Sequence, residues 1–171
     1  MPDDFSFEDE ERFDSLFSEQ PDEDERVLPD RDSLDEKEVK VVGVFEHRDE
    51  GNLHPSMFVL LRDSQERSVL IFIGRFEAQS IFLALEGASA DRPLTHDLLV
   101  NTVNRMGGTV DRVLIDDLWN STYYAKVSIE NNGKVLEVDA RPSDGIAIAL
   151  RAKAPIYMAE AVLQKAAVKE G

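Results

Sequence analysis

From residue 39 onward, apolar and polar positions fall into short regular patterns. The run 39–46 is rich in valine around Gly43 and predicts a strand. Asp49-Glu50-Gly51-Asn52 reads as a turn. Two further apolar runs, 56–61 and 68–73, flank the polar stretch Asp63-Ser64-Gln65-Glu66 and predict a hairpin. The period then changes. Phe76, Ile81, Phe82 and Leu85, with the small Ala78 and Ala84, build one helical face that Gly87 closes. Pro93 precedes a second helix, with Thr95 as its N-cap, Leu98, Leu99, Val103 and Met106 inside, and Gly107-Gly108 as its stop. Strands follow at 110–115, 122–129 and 135–138, the last two joined by the turn Asn131-Asn132-Gly133. Ser143 caps a third helix reaching Lys153, and Pro155 ends it. Ile156-Tyr157-Met158 reads as extended, and 159–168 as a closing amphipathic helix.

The predicted order is β-β-β-α-α-β-β-β-α-β-α. Strands come in antiparallel runs and helices are inserted singly or in pairs. This pattern predicts an α+β fold on a mixed, largely antiparallel sheet, not a doubly wound parallel one. The 171 residues suffice for one ordinary domain.

Charge divides the chain in two. Residues 1–37 hold 16 Asp/Glu against 4 Lys/Arg, whereas residues 38–171 hold 19 against 15. Self-repulsion and scarce apolar surface predict an acidic disordered tail over 1–37, ahead of a domain over 38–171. Within the tail, Phe13, Leu16 and Phe17 share the i, i+3, i+4 spacing of a helical face, with Phe5 and Phe7 upstream. That set reads as a docking peptide for a protein partner or for the chain's own body, or as a solvating tail with a few phenylalanines. The absence of cysteine excludes a disulfide framework and thiolate chemistry. The first residues lack a basic, apolar leader and no apolar run reaches 18 residues, so a cytoplasmic protein without a membrane span is expected.

Two segments carry polar residues beyond what packing demands: Arg92-Pro93-Leu94-Thr95-His96-Asp97-Leu98, and Asp139-Ala140-Arg141-Pro142-Ser143-Asp144. Each sets Arg-Pro ahead of a helix. A helix start exposes unpaired N–H groups and partial positive charge, and with an arginine beside it can hold a phosphate. Nearby carboxylates suit a hard divalent cation. His96 is the histidine placed to act as general acid or base. The competing reading is structural: the carboxylates and hydroxyls cap helices and the arginines orient the helix starts. Glu77, early in the first helix, joins either reading.

Taken in register, Ile73-Gly74-x-x-Glu77-Ala78, those two segments and Arg151-x-x-x-Pro155-Ile156-Tyr157 closely resemble the bifunctional nuclease (BFN) domain family. The resemblance spans roughly residues 39–168. It implies a mixed α+β fold, a homo-oligomer, and hydrolysis of both RNA and DNA. Gly145 departs from the alanine common in that family. Residue chemistry then assigns roles. Arg92 and Arg141 bind the scissile phosphate, His96 and Asp97 complete the catalytic set, and Asp139, Asp144 and Glu77 hold Mg²⁺ or Mn²⁺. The body's net negative charge opposes nucleic-acid binding, which rests on neutralised phosphates. The alternative is a non-enzymatic oligomeric module that uses the same helix starts as an anion or partner site.

Overall fold

The structure, a computed structural model, describes residues 35–48, 55–88 and 90–168. The Phe13-Leu16-Phe17 set and the turn at 49–52 lie outside the described residues. In chain order the elements are β1 (Glu36–His47), β2 (Ser56–Asp63), β3 (Ser68–Ile73), α1 (Arg75–Leu85), α2 (Thr95–Arg105), β4 (Gly108–Trp119), β5 (Thr122–Asn131), β6 (Lys134–Ala140), α3 (Pro142–Ala152), β7 (Ile156–Ala159), α4 (Glu160–Ala166) and β8 (Ala167–Val168). The predicted α+β order holds, with one short strand added at the end.

The strands form one eight-stranded sheet in the order β6-β5-β4-β7-β1-β2-β3-β8. Two antiparallel meanders, β1-β2-β3 and β4-β5-β6, make up most of it. The four-residue β7 joins them, antiparallel to β1 and parallel to β4. The β5–β6 hairpin turns at Asn132 (φ 52°) and Gly133 (φ 74°), the positive-φ pair such a turn requires.

Helix α3 lies on β4 and β5, α1 on β1 and β2, and α2 against α3 and β4. The core between sheet and helices is aliphatic. Val59, Leu61, Val69, Ile71, Val113, Ile115 and Met158 from the sheet meet Ile81, Ile146, Ala147, Ile148 and Ala149 from the helices. Alternation along β2 buries Val59, Leu61 and Asp63 while Phe58, Leu60 and Arg62 take the other face. Asp63 organises the β2–β3 turn by accepting the backbone N–H groups of Gln65 and Arg67, each at 2.9 Å. Arg67 then bridges Asp63 and Glu160, which ties that turn to α4.

Four local expectations change. Thr95 is the first residue of α2, not its N-cap; the cap is Leu94, whose N–H donates to Asp97 at 2.8 Å, so the carboxylate does the capping. Ser143 is buried inside α3, because Pro142 with its preset φ already starts the helix and Arg141 is the N-cap. β1 begins at Glu36, within the span read as tail, since Glu36 and Lys37 pair with Ala159 and Met158. The last helix stops at Ala166, and Ala167 and Val168 pair with β3 instead.

Candidate functional site

Three helix starts meet at one point. The first turn of α1 brings Glu77, and Ser80 stands three residues on, on the same helix face. The first turn of α2 brings His96, and the start of α3 brings Arg141 and Asp144. Ser80 Oγ lies 2.8 Å from His96 Nδ1, and His96 Nε2 lies 3.0 Å from Asp144 Oδ1. Arg141 donates from Nε to Asp144 Oδ2 at 2.8 Å and from Nη2 to Asp144 Oδ1 at 3.1 Å. The same Nη2 reaches Glu77 Oε1 at 2.9 Å. The residues form a continuous chain: Ser80, His96, Asp144, Arg141, Glu77.

Electrostatics hold Asp144 and Arg141 in their charged forms. Burial alone would raise the Asp144 pKa, but hydrogen bonds from Arg141 and His96 outweigh it and hold the carboxyl below its ordinary range. Asp144 is therefore ionised near neutrality and accepts a hydrogen bond from His96 Nε2–H. With the imidazole proton on Nε2, Nδ1 accepts from the Ser80 hydroxyl; with both nitrogens protonated, Ser80 Oγ accepts instead. The hydrogen bond to Asp144 also raises the Arg141 pKa, so this guanidinium stays charged. Two carboxylates, Glu77 and Asp144, thus face the single guanidinium of Arg141.

The cluster stands where two hollows meet. One, of about 510 Å³, is lined by Phe76, Glu77, Ser80, Leu94, Thr95 and His96 among others, and is closed by Arg141 and Asp144. The second, of about 460 Å³, shares Thr95, His96, Arg141 and Asp144 and runs between α2 and the β5–β6 strands over Leu99, Val127, Ile129 and Val138. Arg141 is 65% exposed at the shared mouth, while Ser80 and His96 lie deeper in the wall.

The seven residues singled out from sequence separate. Glu77, His96, Arg141 and Asp144 come together. Asp139 lines the second hollow beside them. Asp97 turns away from the cluster: it caps α2 through Leu94 and accepts a hydrogen bond from Arg151 Nε. The Leu94 N–H and the Arg151 guanidinium outweigh its burial and lower its pKa. Arg92 is exposed in the loop before α2 and lines neither hollow. Two participants escaped the sequence reading. Ser80 is a buried serine on the Glu77 face of α1, and the i, i+3 spacing of the two polar residues was the available signal. Arg151 donates to the backbone carbonyls of Ser80 and Ala147 as well as to Asp97, and so locks α1, α2 and α3 together.

Among the described residues no group of three His, Asp or Glu side chains is placed to hold a cation. Glu77 and Asp144 both turn an oxygen to Arg141. This donor set, as arranged, does not fit a divalent ion.

The chain belongs to the bifunctional nuclease domain family, which matches residues 59–171. It is 40% identical over 129 residues to an uncharacterized protein of Mycobacterium tuberculosis, covering 75% of each chain. It is 30% identical over 109 residues to "Bifunctional nuclease 1" of Oryza sativa subsp. japonica, covering 61% of this chain and 33% of the plant protein. "Bifunctional nuclease 1" of Arabidopsis thaliana is 26% identical over 108 residues, with the same coverage. The chain thus spans about a third of the plant nucleases it matches. Among the described residues no helix is long and apolar enough to cross a membrane.

Proposed function

We propose that this protein hydrolyses phosphodiester bonds of RNA or DNA at the Ser80–His96–Asp144–Arg141–Glu77 cluster. The observation that carries this reading is the imidazole held between a hydroxyl and an ionised carboxylate in the wall that two hollows share. Family membership and the names of the plant relatives support it. The exposed Arg141 exchanges part of its hold on Glu77 and Asp144 for a phosphate oxygen. An attacking water gives a proton to Ser80 Oγ as the serine proton passes to His96 Nδ1. Asp144 steadies the resulting imidazolium. The new P–O bond forms as the bond to the leaving oxygen breaks, and that oxygen takes a proton from solvent. Arg92 lies outside this scheme, and Asp97 supports it only through the fold. The setting in this reading is the cytoplasm. The protein acts as a homo-oligomer, to which the exposed edge strand β6, with Val135, Leu136 and Val138 on its surface, offers an unpaired side.

One observation favours a second reading, an anion- or partner-binding module without catalysis. Arg141 is already satisfied by two carboxylates. The test is incubation of the purified protein with single-stranded RNA and DNA in Mg²⁺, Mn²⁺ or EDTA, beside His96→Ala and Asp144→Asn. Cleavage that falls about 100-fold or more in both variants supports the hydrolase. Cleavage that survives both places the chemistry elsewhere, and no cleavage under any condition leaves the module.

A further inference from the structure

The face of the β1-β2-β3 meander that turns away from α1 carries an unusual row. Helix α1 covers Val44 and Met57 on one face, so by alternation their neighbours Phe45 and Phe58 point to the other. Phe45 stands opposite Phe58, and Phe58 opposite Phe72. The rings touch in sequence: Phe45 and Phe58 stack at 5.6 Å between centroids, and Phe58 and Phe72 tilt together at 5.9 Å. Phe45 and Phe72 remain 42% and 64% exposed. The Phe45 ring lies down over Gly43, close enough that a β-carbon there would stand 3.1 Å from Cζ. The glycine lets the ring lie along the strand.

Phe72 ends the row just before the chain crosses to α1 on the other side of the sheet. Phe76, 81% exposed, lines the first hollow beside Glu77 and follows Phe72 by four residues. Those four residues span at most about 14 Å. Lys40 and Arg62, paired across β1 and β2, lie on the same face, though Arg62 also meets Glu66 at 3.4 Å. A sheet face bearing adjacent exposed aromatics suits unpaired bases, whose faces stack on aromatic rings whatever their sequence.

We propose that Phe45, Phe58 and Phe72 form a stacking platform for single-stranded nucleic acid, which passes around the end of β3 to reach the Glu77–Arg141 mouth. This rests on the hydrolase reading for the identity of the ligand. Because the platform carries little positive charge, its affinity comes from stacking and depends only weakly on salt.

The test uses the full chain in EDTA and fluorescence anisotropy with a labelled oligothymidylate of about ten nucleotides. A second probe is an abasic phosphodiester of the same length. The expected result is binding of the oligothymidylate at least about tenfold tighter than the abasic strand, weakened about tenfold by Phe72→Ala or Phe45→Ala and kept by Phe72→Trp. Equal affinity for the two probes, unchanged affinity in both alanine variants, or no binding by the unaltered protein overturns the platform. Light scattering on the same samples guards against another occupant. If Phe72→Ala lowers the oligomeric state, the row is a contact between copies and the proposal falls. Cleavage by the unaltered protein with a silent row sinks the platform alone, while base-dependent binding without cleavage under any metal sinks the hydrolase reading alone.

Discussion

The Glu77 carboxylate occupies the space a side chain at Gly74 would need: Oε2 would stand 2.2 Å from a β-carbon placed there. Gly74 has an ordinary extended backbone (φ −70°, ψ 159°), so alanine fits its conformation. The clash is with the far end of a flexible side chain. Gly74→Ala is therefore expected to leave stability within about 0.5 kcal/mol while swinging Glu77 off Arg141. Thermal unfolding should be unchanged, and the activity or anion affinity of the cluster should fall.

Asp97 and His96 are sequence neighbours with different work. Asp97→Ala strips the α2 cap and leaves the largely buried Arg151 guanidinium without its carboxylate. A loss of about 2–3 kcal/mol is expected in urea unfolding. His96→Ala removes the imidazole from the wall of an open hollow. It should cost about 1 kcal/mol or less, while abolishing any cleavage.

Acid should unfold the protein through a defined set of carboxylates. Hydrogen bonds from Arg67 lower the Glu160 pKa from 4.5 to about 2. Asp63, Asp97 and Asp144 are also held below their ordinary value of 3.8, each against an opposing burial effect. A depressed folded-state pKa stabilises the protein above the unfolded value, and that contribution disappears as pH falls through the folded one. Stability should be flat at neutral pH, begin to fall near 4.5, and keep falling to about 2, as read by the melting temperature across that range. Arg67→Ala should flatten part of that slope.

Gly145 stands in the first turn of α3 against Val113 of β4, where a β-carbon would come within 2.9 Å of Cγ1. Val113 is fully buried and β-branched, so it has little room to yield. Gly145→Ala is expected to destabilise by about 1–2 kcal/mol despite the better helix former, measurable as a lower urea midpoint at unchanged slope.

Sequence patterns located nearly every element because alternation and helical period are local properties. What they missed depends on contacts distant in the chain. Ala167 and Val168 continue a helical pattern, yet β3 offers an open edge and they pair with it. Asp116 and Asp117 fall just past the strand run at 110–115, where local pattern alone suggests a solvated strand end. They lie instead inside β4 at a bulge, with Asp116 buried and Lys126 Nζ 2.5 Å from Oδ2, a contact of charge without hydrogen-bond alignment. At the site, Glu77, His96, Arg141 and Asp144 were visible as polar residues at helix starts. Ser80 was not, because one serine in an apolar stretch gains meaning only when a histidine 16 residues away turns toward it.

β7 gives the molecule an order of assembly. Each meander is built from neighbouring strands and can begin to form as soon as it is made. The strip that sews them together, Ile156–Ala159, is made after both. On the ribosome, the two half-sheets wait with their inner edges open until Ile156–Ala159 emerges. The same strand follows α3 directly, so the step that closes the sheet also seats the helix that carries Arg141, Asp144 and Arg151. The site is thus assembled late, and a chain cut short before Ile156 would carry its residues without ever bringing them together.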